Sequence, residues 1–265
     1  MGDFRVTNVS FKRFNLHKIA IISLSFFIIF LVSSSIVFAE SQVVINSRDW
    51  QDVYSGSIYA NLANKNLHFI VDENQGLNLA NVFLSKQEKD ILLIESENNP
   101  FVFGLKNILE NNGFNVELTN SHNSRMLSLE LFEKLSLEKE INKFIIIDGD
   151  LGYSAVSVAP YSGLMDAYVM FVDKKNVEEA VSFISKNADS ILLYGHLDPE
   201  VEMAFEQFSP EIIDSGNRYL DNIVIAEKFL ELKPTKQVIL TDGNYLELGL
   251  FSKDFPIVLV GTSGV

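Results

Sequence analysis

The chain has 265 residues, 47% of them hydrophobic, and a formal charge of -14 at neutral pH. It contains no cysteine, which excludes a disulfide framework, a thiolate metal site, a cysteine nucleophile and a lipidated cysteine. So acidic a surface repels nucleic acid and anionic lipid, and leaves cations, basic partners and neutral polymers as candidates.

The first element is an apolar run. Lys12, Arg13 and Lys18 precede IAIISLSFFIIFLVSSSIVFA, which closes in Val37-Phe38-Ala39 before Glu40. A basic start, an apolar centre and a small-x-Ala end make a secretory signal cut after Ala39. Left uncut, the same run is long enough for a membrane anchor. In both cases the basic flank keeps the N-terminus inside and sends the remainder out, to the cell surface or envelope. Residues 1–39 hold four of the 21 basic and one of the 35 acidic residues, so the exported part carries 17 against 34, or -17. The one Asn-x-Ser/Thr sequon, Asn8-Val9-Ser10, lies before this run, so glycosylation of the exported part is not expected.

From residue 42 onward, short β-rich apolar runs alternate with helical stretches, the pattern of βα units with a mainly parallel sheet. Strands are expected at 42–47, 67–73, 90–96 and 115–120, then at 143–149, 167–173, 190–195 and 210–215, then at 237–243 and 255–261. Their near-continuous hydrophobicity suits strands covered on both faces. Between them, NPFVFGLKNILENNG reads as a helix stopped at Gly113. DPEVEMAFEQF reads as a helix with Asp198 as N-cap and Pro199 in its first turn. SRMLSLELFEKLSLEKE and NRYLDNIVIAEKFLELK are the longest helices.

The series of elements repeats. VVINSRDW, FIIIDGDL and VILTDGNY stand at equivalent places, and SHNSRMLSLELFEKL matches SGNRYLDNIVIAEKF with Arg125 and Arg218 in register. The expected architecture is α/β, with tandem Rossmann-like modules and mainly parallel sheets after the N-terminal hydrophobic signal helix. Residues 1–39 form the signal peptide or anchor, 40–142 the first module, 143–236 the second, and 237–265 the start of a third. The third breaks off after a strand, so the polypeptide is expected to continue beyond Val265.

Asp148 and Asp150, at the end of an apolar strand, have the spacing of a nucleophile and general acid in a phosphatase. The repeat argues against that chemistry, because the corresponding residues are Asn46 and Arg48 in the first copy and Asp242 and Asn244 in the third. The pair is expected to punctuate a strand-to-helix turn, accepting free N–H groups at the helix start. His17, His68, His122 and His196 have no metal-ligand spacing, and VGTSG near the C-terminus lacks the Lys of a phosphate loop. No catalytic residue, metal ligand or cofactor is nominated. Arg218 is expected at the seam between modules, bonded to carbonyls or to a carboxylate of a neighbouring turn.

These residues resemble the type 2 cell-wall-binding repeats of envelope and surface-layer proteins. SGNRYLDNIVIAEKF is similar to the family's opening, with Gly216, Asn217, Arg218 and Tyr219. VVINSRDWQDVYSGSIYANLA looks like its strand and second helix, with Asp52 at the acidic position, and FIIIDGDLGYSAVSVAP has Ser154 there. SILLYGHLDPEVEMAF looks like the Gly-ended strand and its helix, and FPIVLVG like the Pro-Ile-Leu-Leu strand. The resemblance implies a non-enzymatic exported protein whose repeats hold cell-wall or envelope polymer, with Asp52, Arg125, Asn217 and Arg218 at motif positions. On a surface this acidic, an anionic polymer would need a local basic patch or bridging divalent cations. The alternatives are a membrane-tethered scaffold binding protein partners in the envelope, and a hydrolase or phosphatase using Asp148 and Asp150.

Overall fold

The computed structural model describes residues 42–86 and 89–261; the signal segment and the last four residues lie outside the described part. All ten expected strands are present: β1 Gln42–Asn46, β2 Asn66–Phe69, β3 Asp90–Ser96, β4 Asn115–Ser121, β5 Lys143–Ile147, β6 Tyr168–Phe171, β7 Ser190–Tyr194, β8 Glu211–Ile213, β9 Ile239–Thr241 and β10 Ile257–Leu259. The helices are α1 Trp50–Leu62, α2 Glu73–Lys86, α3 Leu105–Asn111, α4 Ser124–Glu138, α5 Gly152–Met165, α6 Val177–Ile184, α7 Pro199–Phe205 and α8 Arg218–Leu232. Every strand pair is parallel, in sheets of order β2-β1-β3-β4 and β6-β5-β7-β8 and a two-stranded β10-β9. Among the described residues no helix is long and apolar enough to cross a membrane.

The central strands are apolar because helices cover both faces. Val43, Val44 and Ile45 of β1 are fully buried, and so are Ile146 and Ile147 of β5. The helix ends follow local chemistry. Gly113 takes φ +84° just past α3, which a residue with a Cβ adopts at a cost. Helix α3 starts later than its apolar spacing suggests, because Gly104 at φ +69° turns the chain immediately before Leu105.

One backbone hydrogen bond recurs at the strand ends that the sequence aligns. Ile70 N donates to Ile45 O (3.0 Å), Val172 N to Ile147 O (3.0 Å) and Val260 N to Thr241 O (2.8 Å). Asn46, Asp148 and Asp242 therefore occupy one structural position. The long helices α4 and α8 also correspond, each 15 residues, with Asn123 and Asn217 as N-caps. These caps are 94 residues apart (217 less 123), so the 93-residue match of Arg125 with Arg218 is one residue out of step. Arg218 corresponds to Ser124, and Arg125 to Tyr219.

Each long helix packs on the sheet of the following copy. Tyr168 of β6 donates its hydroxyl to Ser128 O of α4 (2.6 Å), and Phe132 of α4 meets the rings of Tyr168 and Phe144 at 5.1 and 5.2 Å. In the same relation, Asn222 of α8 donates to Ile257 O (3.1 Å) and accepts from Leu259 N (2.7 Å) in β10. Lys139 and Lys233, which follow these helices, reach Asp166 and Asp254, each at 2.7 Å.

The third copy departs from the other two. Gln42 pairs with Asn66 and Phe144 with Tyr168, spans of 24 residues, whereas Ile239 pairs with Ile257, a span of 18. The shortened connection holds only a 3-10 turn, Leu248–Phe251, where the other copies have α1 and α5. Leu240 is 63% exposed at the place where Val44 and Ile146 are fully buried.

Candidate functional site

In each four-stranded sheet the chain order reverses between its two central strands, and the crevice outside their carboxyl ends is where open α/β sheets hold ligands. The first sheet has such a crevice of about 350 Å³, walled by loops after β1, β3 and β4 and by the start of α4. Its lining is rich in amide and hydroxyl groups, with Gln51, Asn98, Asn99, Ser121, Asn123 and Ser124 joined by His122 and Arg125. Asn46 holds one wall in place. Its amide donates to Glu95 Oε2 (2.6 Å) and Val102 O (2.7 Å) and accepts from Phe101 N and Val102 N, which pins the 99–102 loop. Burial raises the pKa of Glu95, and the Asn46 hydrogen bond opposes that shift.

Asp52 lies beneath the crevice, 1% exposed. Its two oxygens accept from Ser47 Oγ (2.7 Å) and Ser121 Oγ (2.8 Å), tying α1 to the ends of β1 and β4. Asn123 accepts from Arg125 N (2.9 Å) as the cap of α4, and Ser124 Oγ donates to Asp49 Oδ2 (3.0 Å). Arg125 crosses to the second sheet, where it forms an ion pair with Asp173 at 2.7 Å. His122 contacts Glu97 at the rim.

The matching crevice of the second sheet, about 310 Å³, is furnished differently. Ser154 replaces Asp52, and the buried carboxylate comes from Asp221, which accepts from Ser215 N (2.7 Å). Gly195 has φ +75°, and a Cβ there would come within 2.9 Å of Ser154 Oγ, so this strand end takes glycine for two reasons. Asn217 caps α8, accepting from Tyr219 N (3.0 Å) and Leu220 N (3.4 Å). Arg218 is exposed, its guanidinium 4.9 Å from the ring centres of both Tyr153 and Tyr219, and it donates to the Tyr219 hydroxyl at 2.8 Å. Burial raises the pKa of Tyr153, and the neighbouring Arg218 pulls the other way. His196 lies 3.4 Å from Asp214 at the rim.

Asp52 and Arg125 thus line one crevice, Asn217 and Arg218 the other. The seam role expected of Arg218, a bond to a carboxylate of a neighbouring turn, is performed by Arg125. Arg218 instead lies between two tyrosines, while Tyr219 stands in the place of Arg125 and Gly261 in the place of Asp173. Asp148 and Asp150 make a local turn in which Asp148 Oδ1 accepts from Asp150 N (2.7 Å), as Asp242 accepts from Asn244 N (3.0 Å). They hold the turn rather than the helix start, since α5 begins after Leu151 with no side-chain cap. Among the described residues no group of three His, Asp or Glu side chains could hold a metal ion.

A third cavity, about 430 Å³, lies where the turns after β1, β5 and β9 converge. Trp50, Phe69, Phe101, Tyr153 and Tyr245 line it, with Arg48 as the one charged lining residue, its guanidinium 4.3 Å from the Phe101 ring centre. The sequence did not single out this cavity or Asn98 and Asn99, because loop residues gain their neighbours only when distant turns meet.

No family model and no curated protein matches the chain. Solved structures do, two of them from one organism. Cwp6 from Clostridium difficile has a TM-score of 0.65 at 13% identity, over 83% of this chain and 37% of its own. Cwp8 from the same organism has 0.64 at 16% identity, over 83% of this chain and 40% of its own. This chain therefore spans about two fifths of either structure, and at such identity the likeness is one of fold.

Proposed function

We propose that this protein is a non-catalytic, exported envelope protein whose tandem α/β copies hold a cell-wall or envelope polymer, anchoring it at the cell surface or helping to build the surface layer. The observation that carries this reading is the pair of equivalent polar crevices at the sheet reversals, one lined by amides and hydroxyls, the other by Asn217, Arg218 and tyrosines. Such side chains match the alternating donors and acceptors of sugar hydroxyls, and tyrosine rings offer flat apolar faces. Fold likeness to the cell wall proteins Cwp6 and Cwp8 supports the same assignment.

The four motif positions divide in their availability to a ligand. Asp52 and Arg125 are engaged internally, and Asn217 caps a helix, whereas Arg218 is exposed between its two rings. In this reading Arg218 and the crevice asparagines contact the polymer, and Asp52 and Arg125 shape the walls. Divalent cations bridge the acidic surface to any anionic groups of the polymer.

Co-sedimentation with purified cell envelope tests the reading. Asn98→Ala with Asn99→Ala, and separately Arg218→Ala, should each weaken retention about tenfold, the effect of losing about 1.4 kcal/mol. A chelator should weaken retention further. Undiminished retention in both variants, or turnover of a phosphoester that Asp148→Asn abolishes, would remove it.

A further inference from the structure

Each four-stranded sheet ends in two edge strands, and the four edges differ in how much backbone bonding capacity they turn outward. Along a strand, successive residues point their N–H and C=O groups to alternate sides. In β4, Asn115 N donates to Lys89 O (2.7 Å) and Ser121 O accepts from Glu97 N (3.1 Å), so residues 115, 117, 119 and 121 face β3. Val116, Leu118 and Asn120 therefore turn both backbone groups outward. The same parity leaves Leu67 and Phe69 outward on β2, Val169 and Phe171 on β6, and only Ile212 on β8. Strand β10 shows an outward edge closed from within the chain, where Asn222 donates to Ile257 O (3.1 Å) and accepts from Leu259 N (2.7 Å). Strand β4, seven residues long, pairs with β3 alone among the described residues, and its Asn115, Glu117 and Asn120 are exposed. A long bare edge is a template for a further strand.

We propose that β4 is a self-association edge, at which two copies of this chain pair their β4 strands antiparallel about a two-fold axis through Leu118. The strand's own spacing selects the occupant. In this register Leu118 meets the partner's Leu118, Val116 the partner's Asn120, and Asn120 the partner's Val116, each pair exchanging both backbone bonds. Every outward group of both strands is then satisfied, which no other antiparallel register achieves. A slip that set Val116 against the partner's Leu118 would put Glu117 opposite the partner's Glu117, a destabilising like-charge pair. In the centred register Glu117 faces the partner's Thr119 instead, and Asn115 the partner's Ser121. Charge points the same way. Glu117 is the one charged residue of β4, and Lys134 of α4 already neutralises it. The edge is thus a neutral strip on an acidic protein: it holds no free carboxylate to select a basic segment, and it sets no like charges together when copies meet. The pairing is isologous and closes as a dimer, joining two four-stranded sheets into one. This association does not depend on polymer binding.

Sedimentation velocity of the purified protein over a concentration series, without polymer, is the test. A monomer–dimer equilibrium is expected, and salt should strengthen it, because screening relieves the repulsion between two acidic copies. Thr119→Glu sets a like charge opposite the partner's Glu117 twice in each dimer and should weaken association about tenfold, whereas Thr119→Lys should strengthen it. Asn120→Pro removes one outward donor from each strand and leaves the bonds to β3 intact. It should weaken the dimer by a similar factor at unchanged melting temperature. The chain has no cysteine of its own. Leu118→Cys should therefore give an oxidised dimer across the roughly 5.5 Å Cα separation of a hydrogen-bonded pair, and Asn115→Cys should not. A monomer at every concentration and salt overturns the proposal. So does a dimer indifferent to both Thr119→Glu and Asn120→Pro, or one that Asn115→Cys cross-links as readily as Leu118→Cys.

Discussion

The two sheet-reversal crevices share a backbone frame and fill it with opposite chemistry. In the first, a carboxylate on the helix after the central strand, Asp52, is buried against two hydroxyls. In the second, that position is the small Ser154, the adjoining strand ends in Gly195, and the buried carboxylate arrives from α8 as Asp221. The comparison teaches that the frame needs a buried polar tie between strand ends and helices, but leaves open which element donates it. A tie that moves between elements leaves little trace at any single aligned position.

The sharpest way to break the comparison is Asp52→Ala. It leaves the buried Ser121 hydroxyl without its acceptor and Ser47 with only the bond it accepts from Asp49 N, a loss of about 1–3 kcal/mol, whereas Ser154→Ala should cost under about 0.5 kcal/mol. Urea unfolding of both variants measures the difference; equal losses would mean that Asp52 carries no special tie.

Next in size is Gly195→Ala, expected to cost about 1–3 kcal/mol from its left-handed backbone and the clash with Ser154 Oγ. Adding Ser154→Ala should recover the part due to the clash and leave the backbone part, giving a positive double-mutant coupling. Additive losses would contradict the close contact.

A third comparison, which ends on the smallest effect, separates the two arginines. Arg125→Ala removes a partly buried, charge-assisted bond to Asp173 and should cost about 1.5–3 kcal/mol, less in high salt. Arg218→Ala removes an exposed stack and should cost about 0.5–1 kcal/mol. Thermal melts at low and high salt would distinguish them, and the reverse order would return the seam role to Arg218.

Much of the fold was legible because burial on both faces leaves an unmistakable apolar run, as in FIII of β5 and ILLI of β3. Asn caps were equally visible, yet the identity of Arg125 and Arg218 drew the two long helices one residue out of step. A cap is the better ruler, since its position follows from backbone geometry, while an arginine reaches its partner from several starting points. The loss of the third helix was countable as six missing residues between paired strands, but LELGLF keeps enough apolar character to pass for a first turn. The candidate crevices were the least legible part. Asn98 and Asn99 belong to a loop whose place is set by Asn46, 52 residues before it at the nearer end (98 less 46), and no local pattern announces such a contact.

The packing of α4 on β6 and of α8 on β10 has a consequence for how the chain matures. A polypeptide emerging N-terminus first exposes the apolar side of α4 before its seat has been synthesised, and that side stays bare until β5 and β6 arrive. Each copy thus waits on its successor, so the smallest self-sufficient unit is staggered relative to the repeat in the sequence. Melting should follow suit as one collective event across residues 42–261 rather than copy by copy.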